Sequence, residues 1–128
     1  MRFIKIAALS AALAVALGAF GAHSLKSVLG PDQLLIFETG VRYHFYHSFA
    51  LLFAGLLSHF FPSRTLTIAC GSFIAGICCF SGSLYLLSTR TIIGLENVSM
   101  LGPITPVGGL LFIIGWIYVF LAARKIKI

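Results

Sequence analysis

Four runs of this chain, Ile6 to Leu25, Tyr43 to Ser63, Thr65 to Thr89 and Asn97 to Ala123, contain no Asp, Glu, Lys or Arg. Each is long enough for the roughly 20 apolar residues that a helix needs to cross the ~30 Å hydrocarbon layer of a bilayer. Inside that layer every backbone N–H and C=O must find its partner within the protein, which leaves helices and closed barrels. Runs this long and this apolar fit helices. A soluble domain of this size is excluded, because 59% of the residues are hydrophobic and 9% charged, against about 25% charged in an average soluble domain. The expectation is an all-α integral membrane protein with four transmembrane helices in an antiparallel bundle. Its spans cover about residues 4–24, 40–61, 65–88 and 104–123, and residues 1–128 form a single four-span membrane domain.

The first run also has the look of a signal peptide, with Arg2 and Lys5 as a basic start and Ala19-Phe20-Gly21 as a small-residue cleavage site. Two features favour a retained span. The run is longer than an ordinary signal core, and Ser10, Ala14, Gly18 and Ala22 recur every four residues as a small-residue stripe. The third run repeats the device with Gly71, Ala75, Cys79 and Ser83. Two such stripes predict that the first and third helices meet closely at the bundle centre.

With both termini cytoplasmic, Arg2, Lys5, Arg64, Arg124, Lys125 and Lys127 lie inside, against Lys26, Arg42 and Arg90 outside. The positive-inside rule therefore favours cytoplasmic termini and places the chain in the cell inner (plasma) membrane as a multi-pass protein. The net charge of +6 follows the same bias. No basic face or aromatic platform lies outside the spans, so nucleic acid is not an expected partner. The expected partner is the lipid bilayer, with self-association or other membrane proteins beside it.

The connections carry their own signals. "FPSR" at 61–64 reads as a tight turn, and Pro31 with Asp32 reads as a helix start reaching beyond the membrane boundary. Thr105 followed by Pro106 predicts the cap and first turn of the fourth helix. "FGAHSL" at 20–25 against "FSGSLY" at 80–85, and "TGV" at 39–41 against "TPVGG" at 105–109, suggest a duplicated hairpin.

Polar residues crowd the start of the second run, in "GVRYHFYHSFALLF" at 40–53. At about 100° per residue they separate into two faces. Gly40, His44, His47, Ser48, Leu51, Gly55 and Ser58 share one, and Glu38, Arg42, Tyr46, Phe49, Phe53 and Phe60 the other. On the second face Glu38 and Arg42 are spaced for an interfacial ion pair, with Tyr46 as a headgroup anchor above a lipid-facing stripe. The first face should turn inward. His44 and His47 then need partners, and His23, Ser81, Ser83, Tyr85 and Thr105 are the candidates on the outer side, with Glu96 and Asn97 in the loop above.

Three readings of that group stay open: buried hydrogen bonds that lock the helices, an outer vestibule binding an ion, a proton or a small ligand, or metal or haem ligation. The third is weakest, because nothing fixes ligands beyond His44 and His47; no metal and no cofactor are expected. Cys70, Cys78 and Cys79 read as small core residues, and His59 as an interfacial side chain. No nucleotide loop or nucleophile elbow is present, and acid–base groups are too few for an enzyme.

At these residues the sequence resembles a known family. "GAFGAHSLK" (18–26), "FETGVRYHFYHSFALL" (37–52), "FSGSLYLL" (80–87) and "LGPITPVGGLLFIIGW" (101–116) look like successive motifs of the domain of unknown function 423 family. Its eukaryotic relatives are called transmembrane protein 256. The resemblance implies a small four-span membrane protein with a retained first helix, and it implies no activity. The family's recurring polar positions fall here on His23, Glu38, Tyr43, His44, His47, Ser81, Ser83 and Thr105. Two function classes follow: a structural or accessory membrane protein, or a small transporter or channel using the outer vestibule. All three acids, Asp32, Glu38 and Glu96, lie in or beside loops, which disfavours coupling through a membrane-embedded carboxylate.

Overall fold

The computed structural model describes residues 1–125, and every regular element among them is helical. Helix α1 (Arg2–His23) leads through a 3₁₀ turn, Leu25–Ser27, to the long α2 (Pro31–Phe60). Helix α3 (Arg64–Gly76) continues through a π-helical turn, Ile77–Ser81, into α4 (Gly82–Thr89). After an exposed loop, α5 spans Leu101–Ala123. Lys127, one of the basic residues counted on the inner side, lies outside the described residues.

Three helical segments are long and apolar enough to cross a membrane: Arg2–Ser27, Arg64–Thr89 and Leu101–Ala123. Helix α2 is less apolar, and its position explains why. It packs against α1, α3 and α4 and buries Gly40, His44, His47, Ser48 and Gly55 among others, so its polar atoms meet protein instead of lipid. Its opposite face, with Glu38, Arg42, Tyr46, Phe49, Phe53 and Phe60, is exposed.

Several helix ends follow their local chemistry. Gly30 is extended and Pro31 takes the first helical position with Asp32 in the first turn, where Pro has no N–H to orphan and the carboxylate complements the dipole. Ser63 caps α3, its hydroxyl oxygen accepting the Leu66 N–H at 3.2 Å. The start of α5 differs from expectation. The helix begins at Leu101, and Thr105 and Pro106 lie inside it. Pro106 removes the N–H that the Gly102 carbonyl would have received, and Gly102 and Pro103 are exposed at the helix end, where that carbonyl does not need a helical donor.

Two tight antiparallel pairs, α1/α2 and α3/α5, are joined through α2 and α3. Glycine supplies the closeness. A Cβ at Gly21 would stand 2.8 Å from the Phe37 ring, one at Gly76 2.5 Å from Phe112, and one at Gly115 2.5 Å from Phe73, while one at Gly108 would run into the backbone of Phe80. Each aromatic ring fills the hole a glycine leaves, and in lipid such dispersion contacts are the main force between helices. The two pairs are the hairpins that duplication would give. They are not exchanged by a two-fold axis, because α2 and α3 meet in the centre and α1 and α5 lie outermost.

The expected contact between the two small-residue stripes is absent. In α1 the buried residues are Ala7, Ala14 and Gly21, seven apart, with Ser10 and Gly18 half-buried and Ala22 exposed. Four helical steps overshoot a turn by about 40°, so a four-residue stripe winds away from its partner, whereas seven steps miss two turns by only about 20°. The seam of α1 faces α2. In the third span Gly71 has open space where a Cβ would point, Ala75 and Cys79 are half-buried, and Ser83 turns to α5. A groove, with α2 as its floor, separates α1 from α3.

Candidate functional site

His44 sits on the inner face of α2 between Ser10 of α1 and Tyr85 of α4. Its Nε2 lies 3.0 Å from Ser10 Oγ and its Nδ1 3.0 Å from the Tyr85 hydroxyl. Ser10 Oγ is also 2.7 Å from Ser48 Oγ, and the Ser48 hydroxyl donates to the His44 carbonyl at 2.8 Å. With His44 neutral, counting hydrogens fixes the direction of every bond. A carbonyl accepts only, so Ser48 spends its one hydrogen there and must accept from Ser10. Ser10 must then accept from His44 Nε2–H. That leaves Nδ1 as the acceptor of the Tyr85 hydroxyl. The result is a closed set of four bonds joining three elements, with His44 neutral and protonated on Nε2.

His47 forms a second, separate group one turn further along. Its Nδ1–H donates to the Tyr43 carbonyl at 2.8 Å, and Nε2 accepts the Trp116 indole N–H at 3.4 Å. The ring stacks on Phe112 of α5 at 3.4 Å between centroids and 7° between planes. Here the carbonyl acceptor and the indole donor dictate the opposite tautomer, Nδ1–H. A second proton on His44 would require only that the Tyr85 hydroxyl turn round. On His47 it would confront the Trp116 N–H.

The other residues expected in the vestibule are dispersed. Ser83 Oγ and Thr105 Oγ1 are 2.6 Å apart, tying the α4 end of the rod to α5, and Ser83 donates to the Phe80 carbonyl at 2.9 Å. Ser81 is fully buried in the π-helical turn, and its hydroxyl has no hydrogen-bond partner among the described residues. His23 is exposed at the end of α1 and joins none of these groups. Glu38 and Arg42 are both exposed, and no ion pair links them among the described residues, so the expected interfacial pair does not form. Both side chains lie on the exposed face of α2, where neither needs the other as a partner. Asn97 caps its own loop, its Oδ1 accepting from the Ser99 N–H and hydroxyl. The vestibule is therefore three local knots: His44 with Tyr85, His47 alone, and Ser83 with Thr105.

Sequence reasoning missed Ser10 as a hydrogen-bonding residue, reading it as a packing residue only, and missed Trp116 and Phe112 altogether. For Ser10 a signal existed. A hydroxyl in the middle of an otherwise apolar span needs an interhelical partner, and His44 needed a donor or acceptor at similar depth. Among the described residues no three His, Cys, Asp or Glu side chains come together in a metal-binding group.

The family model described as "Protein of unknown function (DUF423)" matches residues 17–109. The chain belongs to this family. The matched region runs from the end of α1 through His44, His47 and Tyr85 to Gly108 and Gly109 of α5, with Ser10, Phe112 and Trp116 outside it. Among curated proteins, the UPF0382 membrane protein YwdK of Bacillus subtilis (strain 168) is 44% identical over 124 residues, covering 96% of each chain. A UPF0382 membrane protein of Staphylococcus aureus (strain bovine RF122 / ET3-1) is 43% identical over 123 residues, covering 96% of this chain and 95% of its own. One from Staphylococcus saprophyticus is 39% identical, covering 97% and 98%. No solved structure matches the chain.

Proposed function

We propose that this chain is a structural or accessory protein of the inner (plasma) membrane, acting through its helices on lipid, on other membrane proteins or on a second copy of itself, and not an enzyme. In this reading α2 is a fourth span, and both termini are cytoplasmic. The observation that supports it is the closure of the polar groups. Every hydrogen of the His44, Ser10, Ser48 and Tyr85 set is spent inside the set, and His47 is held between a backbone carbonyl, an indole and a phenyl ring. Groups arranged this way bind helices together. The alternative, a small transporter or channel using the outer histidines, calls for polar groups that line one continuous path, and these lie in separate knots.

The deciding experiment is flux. The purified protein in liposomes carrying a pH-sensitive dye should leave a proton or potassium gradient as stable as in protein-free liposomes. Gradient decay that depends on the protein and disappears in His44→Phe would overturn the structural reading in favour of the transporter.

A further inference from the structure

The groove that replaces the expected contact between α1 and α3 has a built interior. Its volume is about 270 Å³, close to the lower end of the ~300–1,000 Å³ typical of small-molecule sites. Ile6, Leu9 and Leu13 form one wall and Ile74 and Ile77 the other, while the floor carries Ser10 beside His44. Leu9 and Leu13 are 74% and 53% exposed, so the groove opens sideways into the hydrocarbon layer. The far wall continues into the π-helical turn, Ile77–Ser81. Such turns recur at functional sites.

The hydrogen count already given decides what the floor can recognise. Ser10 Oγ accepts from His44 and donates to Ser48, which uses its hydrogen and one of its two lone pairs. One lone pair remains. Both imidazole nitrogens of His44 are engaged, and the Ser48 hydroxyl is fully buried. The groove thus presents hydrocarbon walls, one unspent oxygen acceptor with no unspent donor from this set, and, from the exposed Cys78 in its lining, a thiol that is only a weak donor and acceptor. We infer that the α1/α3 groove is a binding site for a membrane-dissolved amphiphile bearing a hydroxyl group, an alcohol-headed lipid whose O–H donates to Ser10 Oγ while its chain lies between the leucine and isoleucine walls. A molecule with only carbonyl or ether oxygens offers no hydrogen to the floor. It is discriminated against by the unmade bond and by two oxygen lone pairs facing each other.

The inference is independent of the structural reading, which the flux experiment decides. Its test is photolabelling of the full chain in phosphatidylcholine vesicles, whose headgroup carries no hydroxyl or N–H to compete, using hexadecanol with a mid-chain diazirine and the matching methyl ether. Adducts are located by mass spectrometry. The alcohol should label Leu9, Leu13, Ile74 and Ile77 about three- to tenfold more than the ether, the span of one net hydrogen bond. Ser10→Ala should abolish that preference. Because Ser10→Ala also loosens the α1/α2 seam, Leu13→Trp supplies a second variant that fills the groove and leaves the hydrogen bonds untouched; it should suppress labelling by both probes. Equal labelling by alcohol and ether in the native protein would overturn the site. So would adducts spread evenly over the lipid-facing residues, or an alcohol preference that survives both substitutions.

Discussion

His44 and His47 are three residues apart on one helix face and carry their protons on opposite nitrogens, because their surroundings offer opposite chemistry. Ser10, already donating to Ser48, asks His44 for an Nε2–H; the Tyr43 carbonyl asks His47 for an Nδ1–H. Nitrogen-15 spectra of histidine-labelled protein in lipid, with the exposed His23 and His59 replaced by glutamine, should show one histidine of each tautomer, with the Nε2–H signal lost on the further change His44→Phe. Two histidines of the same tautomer would break the assignment. Stability should separate them too. His44→Phe strands the Tyr85 hydroxyl and the Ser10 oxygen in a dry interior and should cost about 1–3 kcal/mol. His47→Phe keeps the stack on Phe112 and strands only a Trp116 N–H that was held at 3.4 Å, so about 1 kcal/mol or less is expected. Tyr46→Phe, on the exposed face, should lie within about 0.5 kcal/mol of the native protein in a detergent unfolding assay. The inward turn of both histidines was legible in the sequence, since helical periodicity alone separates them from Arg42 and Tyr46. Their partners were not. Which polar residue meets which depends on helix neighbours and on depth, and neither leaves a mark in a single chain.

At the scale of elements, the small residues matter by what they face, not by their spacing. Gly76 and Gly115 each receive a phenylalanine ring across the α3/α5 pair, Gly108 lies against the backbone of Phe80 in the π-helical turn, and Gly21 receives Phe37 across α1/α2. Gly71, which the sequence stripe marks as equivalent, faces open space. Alanine substitution should therefore split the glycines. Gly108→Ala meets backbone that cannot swing away and should cost near the top of the 1–3 kcal/mol range for overpacking, roughly 3 kcal/mol. Gly115→Ala and Gly76→Ala meet rings that can tilt, and about 1–2 kcal/mol is expected. Gly71→Ala should be neutral or stabilising by up to about 1 kcal/mol, because it only gains helix propensity. Comparable losses at all four sites in the same unfolding assay would show that the third span is packed on both faces. The existence of these helices was plain from the uncharged runs, and the start at Pro31 from its first-turn chemistry, whereas Ser63, read only as part of a turn, is the cap of α3. The start of α5 misled, because Thr105-Pro106 has the form of a cap and yet the Ser83 hydroxyl holds Thr105 within the helix.

For the whole molecule, the decisive feature is that the least apolar helix is the central one. Helix α2 touches α1, α3 and α4, and it can afford two histidines and a serine because protein surrounds them. The same arrangement leaves α1 and α5 on the outside, α1 with one face on α2, and α5 with one on α3, α4 and His47 of α2, the rest of each facing outward. Hydropathy along the sequence reads burial in lipid well and burial in protein poorly, which is why the long apolar helices were legible and the neighbour relation of α1 and α3 was not. The proposed topology, four crossings with cytoplasmic ends, takes α2 as a span despite its composition and rests on the basic residues Arg2, Lys5, Arg64, Arg124 and Lys125 gathered at one end. It is tested with single cysteines introduced into a variant in which Cys70, Cys78 and Cys79 are replaced by alanine. In intact cells a membrane-impermeant maleimide should modify cysteine at positions 30 and 96, in the two connections assigned to the outside, and should spare one at position 63 until the membrane is opened. Protection at 30 with labelling at 63 would invert the molecule. Labelling at both 30 and 63 would mean that α2 does not keep its ends on opposite sides. It would then lie along one surface, and the His44 bonds to α1 and α4 would have to form at the interface and not within the bilayer.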